Sequence, residues 1–199
     1  MKQFNKELLT SDWRKNRPEK FGLRMTDQKT IYKHERLLPP ELIKGKSILD
    51  IGSYISQTGD WCLNNGAVRY TGVEIIKEFA DKGVKLMQKY HPDENWNIIT
   101  SSLEDYFANH TEKYDIIFCW GVSFSQIDHA WFLKNLCERA DRIALNWRHP
   151  KVMWNDNQHE ISDELWRKLE YDIPYQEWQE DEMTQTSGKN ASVYCASVH

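Results

Sequence analysis

The run Ser47-Ile48-Leu49-Asp50-Ile51-Gly52-Ser53, followed about two dozen residues later by Gly72-Val73-Glu74, constrains this chain more than any other feature. An apolar strand ends in an acidic residue and a glycine. A helix follows, and then a second strand ends in a carboxylate. In a doubly wound sheet that order builds a nucleotide-type pocket. Glycine lets the backbone approach a ligand, and the second carboxylate reaches a ribose diol.

The rhythm downstream agrees. Ser47–Ile51 reads as a strand, Gln57–Asn65 as a helix stopped at Gly66, and Tyr70–Ile75 as a strand. Lys77–Tyr90 reads as a longer helix with Phe79, Val84, Leu86 and Met87 as apolar points. Trp96–Thr100 is a strand and Leu103–Asn109 a short helix. Tyr114–Trp120 is nearly continuously apolar, as expected of a strand buried on both faces. His129–Arg139 is a helix and Arg142–Trp147 the fifth strand. Alternating strands and helices imply right-handed crossovers and a parallel sheet.

The two ends break this rhythm. Residues 1–38 read as two short polar helices, closed by Pro39-Pro40. Ser162–Glu170 reads as a helix, then Tyr171–Trp178 and Ala191–Val198 as two strands joined by a polar turn. Strands without an intervening helix suggest an antiparallel hairpin at the sheet edge. The expectation is therefore an α/β fold: a doubly wound, seven-stranded, mostly parallel sheet with an antiparallel C-terminal hairpin and a helical N-terminal extension. Residues 1–45 form a helical lid segment, and residues 46–199 form a single globular unit.

Composition narrows the partners. At 199 residues the chain fits one domain. The net charge of −4 argues against bulk nucleic-acid binding. Residues 1–46 nevertheless hold twelve Lys/Arg against six Asp/Glu, a net of +6 that leaves −10 for the remainder. Such a bias reads as a solvated helix face, or as a face for an anionic substrate. Nine tryptophans, among them Trp147, Trp154, Trp166 and Trp178, either pack on the sheet or wall a planar substrate. The four cysteines form no C-x-x-C pair, so no zinc site is expected. Reduced thiols and a cytoplasmic home are the default. No apolar run approaches membrane-spanning length, and the first residues lack the apolar stretch of a signal peptide.

In open parallel sheets, ligands sit outside the carboxyl ends of the strands where strand order reverses. Asp50, Gly52, Glu74, Ser102 and Trp120 all fall at or just past such ends. Singly, Gly52 reads as a turn glycine and Glu74 as a surface carboxylate. Together they mark one crevice.

These residues carry a resemblance. From Lys46 to Trp147, and through the final helix and hairpin, the chain resembles class I (Rossmann-like) S-adenosylmethionine-dependent methyltransferases. Asp50-Ile51-Gly52 matches the start of that family's D-x-G-x-G-x-G loop, and Glu74 matches its acid closing the second strand. Ser101-Ser102-Leu103-Glu104-Asp105 resembles the acidic loop after the third strand, and Tyr114-Asp115-Ile116-Ile117 resembles the fourth strand's Y/F-D-x-I. Two departures stand out. Tyr54 and Ser56 occupy the places of the second and third glycines, and Ser102 stands where an aspartate often meets adenine.

The resemblance implies S-adenosylmethionine as cofactor and a definite set of roles. Glu74 accepts from both ribose hydroxyls. Gly52 and Ser53 present backbone to the amino-acid part, with Asp50 orienting that loop or the ammonium group. Tyr54 narrows the loop or stacks on the methionine moiety. Ile75 and Leu103 sandwich adenine. Ser102, Glu104 and Trp120 complete the cofactor set.

Methyl transfer from a sulfonium is an in-line displacement, so the protein chiefly positions the nucleophile and excludes water. A base is needed only if the acceptor must lose a proton. His129 and His149 are the candidates, because imidazole titrates near neutrality, although each also reads as an ordinary surface or loop histidine. Arg148 and Trp147 are the expected substrate contacts, Arg148 for a carboxylate or phosphate. No metal is expected.

The leading expectation is transfer to an O or N atom of a small-molecule acceptor. An RNA or protein methyltransferase, or a non-catalytic S-adenosylmethionine-binding relative, is the alternative. A nicotinamide-dependent reductase fits poorly, since G-x-G-x-x-G and Tyr-x-x-x-Lys are both absent. Acceptor and oligomeric state are not written in these motifs.

Overall fold

A computed structural model of the chain describes residues 34–35, 37–119, 127–147, 169–171 and 192–198. After a short helix α1 (Pro40–Ile43) come β1 (Ser47–Ile51), α2 (Gln57–Asn64), β2 (Arg69–Glu74) and α3 (Lys77–Tyr90). Then follow β3 (Trp96–Thr100), α4 (Leu103–Asn109), β4 (Tyr114–Cys119), α5 (His129–Arg139) and β5 (Ala140–Trp147). The five strands pair in parallel in the order β3-β2-β1-β4-β5. The chain winds outward from β1 to β3, then crosses back to lay β4 on the other side of β1. The switch point is therefore between β1 and β4, and a crevice opens at their carboxyl ends.

Successive side chains on a strand point to opposite faces. In β1, Leu49 and Ile51 join Ile117, Phe107, Phe132, Leu136 and Ile143 in one buried cluster. Ile48 joins the other, with Trp61, Tyr70, Met87, Ile116 and Phe118. Each large side chain fully buried in these layers contributes about 1.5–3 kcal/mol. The fourth strand is buried along almost its whole length, as its apolar run predicts. Cys62 and Cys119 are buried free thiols, and burial together with the Asp50 charge pushes both well up.

The segment before β1 packs into the second cluster. Leu37, Leu38 and Ile43 are fully buried, and the Trp61 indole N–H donates to the Leu38 carbonyl at 2.8 Å. The His34 ring stacks on Phe118 at 5.6 Å and shares a 3.2 Å hydrogen bond with the Thr58 hydroxyl.

Most element boundaries agree with the sequence reading to within two residues. The second strand begins at Arg69 and ends at Glu74, placing Ile75 in the turn, and the fifth begins at Ala140. Two more strand segments, β6 (Leu169–Tyr171) and β7 (Ser192–Val198), are described. Leu169 and Glu170, expected to end a helix, are strand residues. The apolar spacing of Leu165, Trp166 and Leu169 fits a helix, but pairing is a tertiary property that periodicity does not see. The helices expected over residues 1–33 lie outside the described residues, as do those over 162–168. No helix among the described residues is long and apolar enough to cross a membrane.

Two polar contacts pin this scaffold. At the bottom of the sheet the Asp115 carboxylate accepts from the Ser47 N–H at 2.8 Å, the Ser47 hydroxyl at 2.7 Å and the Lys46 ammonium at 3.0 Å. Burial pushes this carboxyl up, but those three donors outweigh it and hold it at about 2. At the rim of the α2–α3 layer, His91 Nε2 donates to Asp60 Oδ1 at 2.8 Å, and both residues are almost wholly buried. Glu94 lies 3.4 Å from the other ring nitrogen, and the Asn64 amide also donates to Asp60. The His91 carbonyl accepts from the Trp96 indole, so one residue joins α2, α3 and β3. Burial pushes the imidazole down, and the bond and charge of Asp60, with Glu94, more than offset this and raise it above 6.5.

Opposite pH dependences follow. Asp115→Ala loses about 1–2 kcal/mol near neutrality. Because the folded carboxyl lies below its ordinary 3.8, that contribution is complete above 3.8 and is lost as pH falls toward 2. Urea midpoints of wild type and Asp115→Ala should therefore converge in acid. His91→Gln costs about 3 kcal/mol, since it leaves Asp60 buried beside a neutral partner. The His91 contribution is complete below 6.5 and is lost as pH rises through the higher folded value. Urea unfolding from about pH 6 to about pH 9 should show the gap between wild type and His91→Gln narrowing; a gap independent of pH would exclude a charged His91.

Candidate active site

Three loops meet at the carboxyl ends of β1, β2 and β3, and Glu74 joins them. Its Oε2 accepts from the Tyr54 N–H of the β1–α2 loop at 2.8 Å. Its Oε1 accepts from the Ile76 N–H, at the start of α3, at 2.8 Å. Its carbonyl accepts from the Ser101 N–H of the β3–α4 loop at 3.2 Å. One residue earlier, the Val73 carbonyl accepts from both the Gly52 and Ser53 N–H groups, at 2.9 and 3.0 Å. Glu74 is only 6% exposed. A carboxylate has about four lone-pair sites, so two remain beyond the two backbone bonds. The sequence assigns these oxygens to a ribose; in the fold they also hold the loops.

The β1–α2 loop is bent where its sequence departs from the glycine-rich pattern. Gly52 has φ +73°, which glycine adopts freely. Tyr54 and Ser56 have φ +51° and +64°, the left-handed region, at a cost of roughly 1–2 kcal/mol each. A Ser56 N–H to Ser53 carbonyl bond of 2.7 Å closes the turn, and α2 begins at the next residue. The backbone thus takes left-handed conformations at the two positions where glycines are absent. The Tyr54 ring meets Phe79 of α3 edge-on, 4.6 Å between centroids.

Under the loop, Asp50 is 2% exposed and accepts from the Tyr70 hydroxyl at 2.8 Å. Burial, then the Asp50 charge, pushes the Tyr70 hydroxyl far up, so it stays a donor. Asp50 pairs with Gly72 across the strands. A β-carbon at Gly72 would lie 2.8 Å from the Ser53 hydroxyl oxygen and 3.0 Å from the Tyr70 hydroxyl, so only glycine leaves the loop room to sit on β2. The Ser53 hydroxyl is buried and has no hydrogen-bond partner among the described residues.

Directly after Glu74, Ile75 is 68% exposed and Ile76 48% exposed, an exposed apolar ledge at the end of β2. Ser102 caps α4: its hydroxyl accepts from the Asp105 N–H at 3.0 Å and donates to the Asp105 carboxylate at 2.9 Å. Leu103 packs against the first core cluster and Glu104 is exposed.

The structure thus brings Asp50, Gly52, Ser53, Tyr54, Glu74, Ile75, Ser102, Leu103 and Glu104 to one rim. Trp120, Arg148 and His149 lie outside the described residues, as do the side chains of His129 and Trp147. Among the described residues no group of three His, Cys, Asp or Glu could hold a metal ion. Sequence reasoning missed Tyr70 and Phe79. The signal for Tyr70 was present: Tyr70, Gly72 and Glu74 alternate along β2 and so share one face. Nothing local marks Phe79, whose contact is with a loop far from it in sequence.

This geometry suits a nucleoside-bearing ligand: a carboxylate at the end of β2, an exposed apolar ledge beside it, and the β1–α2 loop tied to the same strand end. No family profile matches the chain. It is 31% identical over 140 residues to a tRNA U34 carboxymethyltransferase of Pseudomonas savastanoi pv. phaseolicola, a match covering 68% of this chain and 43% of the relative. A relative with the same name from Pseudomonas syringae pv. tomato matches to the same extent. The chain therefore spans less than half the length of these curated relatives. Among solved structures, magnesium protoporphyrin IX methyltransferase from Synechocystis, with bound S-adenosylmethionine, superposes with a TM-score of 0.60 at 14% identity, covering 94% of this chain and 89% of that one. A methyltransferase-type protein from Escherichia coli gives 0.64 at 12% identity, covering 89% and 87%. With its switch-point crevice, its acid at the end of β2 and these likenesses, the chain belongs to the class I, Rossmann-like S-adenosylmethionine-dependent methyltransferase fold family.

Proposed function

We propose that this chain binds S-adenosylmethionine and transfers its methyl group to RNA. The observation that carries RNA over a small molecule is the 31% identity, across 68% of the chain, to a relative named for a tRNA uridine. The net +6 of residues 1–46 supports it, as a cationic face for phosphates. The small-molecule acceptor expected from the sequence is the second reading, favoured by the overall charge of −4.

In this reading the two remaining lone-pair sites of Glu74 take the ribose hydroxyls. Gly52 and Ser53 face the amino-acid part, with Asp50 fixing their loop from below through Tyr70. The exposed ledge of Ile75 supports an adenine site completed by Leu103, with Ser102 and Glu104 at its edge and Trp120 beyond. The bound cofactor supplies the sulfonium leaving group, and the chain positions the acceptor and keeps water out. His129 or His149 takes a proton if the acceptor has one to lose, and Trp147 and Arg148 hold the substrate. Residues 1–45 act as a lid on the single unit 46–199, in a cytoplasmic protein. The seven-stranded sheet with a C-terminal hairpin belongs to the same reading. Antiparallel pairing of β7 with β5 and of β6 with β7 supports it.

Thermal unfolding with and without ligand tests the cofactor. S-adenosylmethionine or S-adenosylhomocysteine at a hundredfold excess over Kd should stabilise by about 2.7 kcal/mol, roughly 5–10 °C for a chain of this size, while NADH leaves the midpoint unchanged. Glu74→Ala should weaken cofactor binding tenfold or more by calorimetry, as expected for about 1.5–3 kcal/mol per charged hydrogen bond. Labelled-methyl transfer should reach tRNA, and log Kd for tRNA should rise linearly with log salt. Transfer to a small-acceptor panel but not to tRNA selects the second reading. Full turnover in His129→Gln or His149→Gln removes that residue as a base.

A further inference from the structure

Two loops flank Glu74, and they are joined twice. The first link is the carboxylate, which accepts from Tyr54 on one loop and from Ile76 on the other, each at 2.8 Å. The second is the edge-on contact of the Tyr54 and Phe79 rings, 4.6 Å apart. Tyr54 also packs against the small buried cluster of Ile55 and Leu86, on the same side as α3. Phe79 is itself fixed in the first turn of α3, its N–H donating to the Ile76 carbonyl at 3.0 Å.

Tyr54 holds a left-handed backbone that a bulky residue avoids. Such a conformation persists only where its surroundings over-determine it, and it clusters at ligand clamps. Here the surroundings are the Glu74 bond behind the backbone and Phe79 against the ring. A glycine would make the same turn without either.

We propose that Tyr54 and Phe79 are positioning residues: an aromatic latch across the β1 and β2 ends that presets the cofactor loop around Glu74. This rests on the cofactor reading above. The latch replaces the freedom of a glycine loop with a loop ordered before the ligand arrives. A loop already ordered costs less to bind, so the latch contributes to affinity without touching the transferred group.

The test compares Tyr54→Phe, Tyr54→Gly, Phe79→Leu and the double variant Tyr54→Gly/Phe79→Leu. S-adenosylhomocysteine binding is measured by calorimetry and steady-state methyl transfer in parallel. Glycine is unstrained at φ +51°, so Tyr54→Gly keeps its backbone and folds. Tyr54→Phe keeps the ring and its edge-on contact with Phe79, so it should bind more tightly than Tyr54→Gly. Tyr54→Gly and Phe79→Leu should each weaken binding about three- to tenfold, the scale of one aromatic pair. They should raise KM for the cofactor at unchanged kcat, and the double variant should bind no worse than Tyr54→Gly alone. Wild-type affinity in Tyr54→Gly, or losses that multiply in the double variant, overturns the latch. If wild type itself binds no S-adenosylhomocysteine, the cofactor reading fails instead. The same four variants in urea then judge the latch: coupling between positions 54 and 79 upholds it, and its absence overturns it.

Discussion

The Glu74 carboxylate is the contact on which the rest of the crevice depends. Without its bonds to the Tyr54 and Ile76 N–H groups, two part-buried donors would lose their acceptor and the β1–α2 loop would keep only the Val73 carbonyl as its anchor on β2. A charged acceptor makes stronger hydrogen bonds than a neutral one, and here each oxygen has a directed donor. The main chain of the same residue holds the third loop through Ser101. Three loops that could wander independently are thus referred to one residue at the end of one strand.

That arrangement works because the strands beneath are rigid. Asp115 ties the start of β4 to the start of β1, and the paired registers carry this alignment up to Asp50, Gly72 and Phe118. Tyr70 transmits it into the loop, its hydroxyl fixing Asp50 from below. The His91–Asp60 pair closes α2 against α3, so the helix that follows the loop cannot drift from the helix that bears Phe79. The scaffold places the crevice, and the loops give it chemistry.

The sheet and its crevice were legible because two periodicities differ. Apolar runs such as Tyr114–Cys119 mark strands buried on both faces, and spaced apolar positions such as Phe79 and Leu86, two turns apart, mark helices with one face inward. Ser102 was legible as a residue at a strand end but not as the cap of α4, which depends on where the chain turns. Leu169 and Glu170 were read as helix and lie in strand, because their conformation is decided by the neighbouring strand rather than by their own spacing. Tyr54 and Ser56 were legible as departures from a glycine-rich loop, but not as the left-handed residues that bend it.

The order of elements, the acid closing β2, the parallel sheet and the place of the crevice were determined by the sequence alone. Each follows from local patterns of apolar, acidic and glycine residues. Only the tertiary structure decided that Glu74 is a tether between loops, that Tyr70 fixes Asp50, and that Tyr54 meets Phe79. Apart from the Glu74–Ile76 bond, those are contacts between residues about twenty or more positions apart. Their geometry is set by how strands and helices pack, and no window along the chain contains both partners.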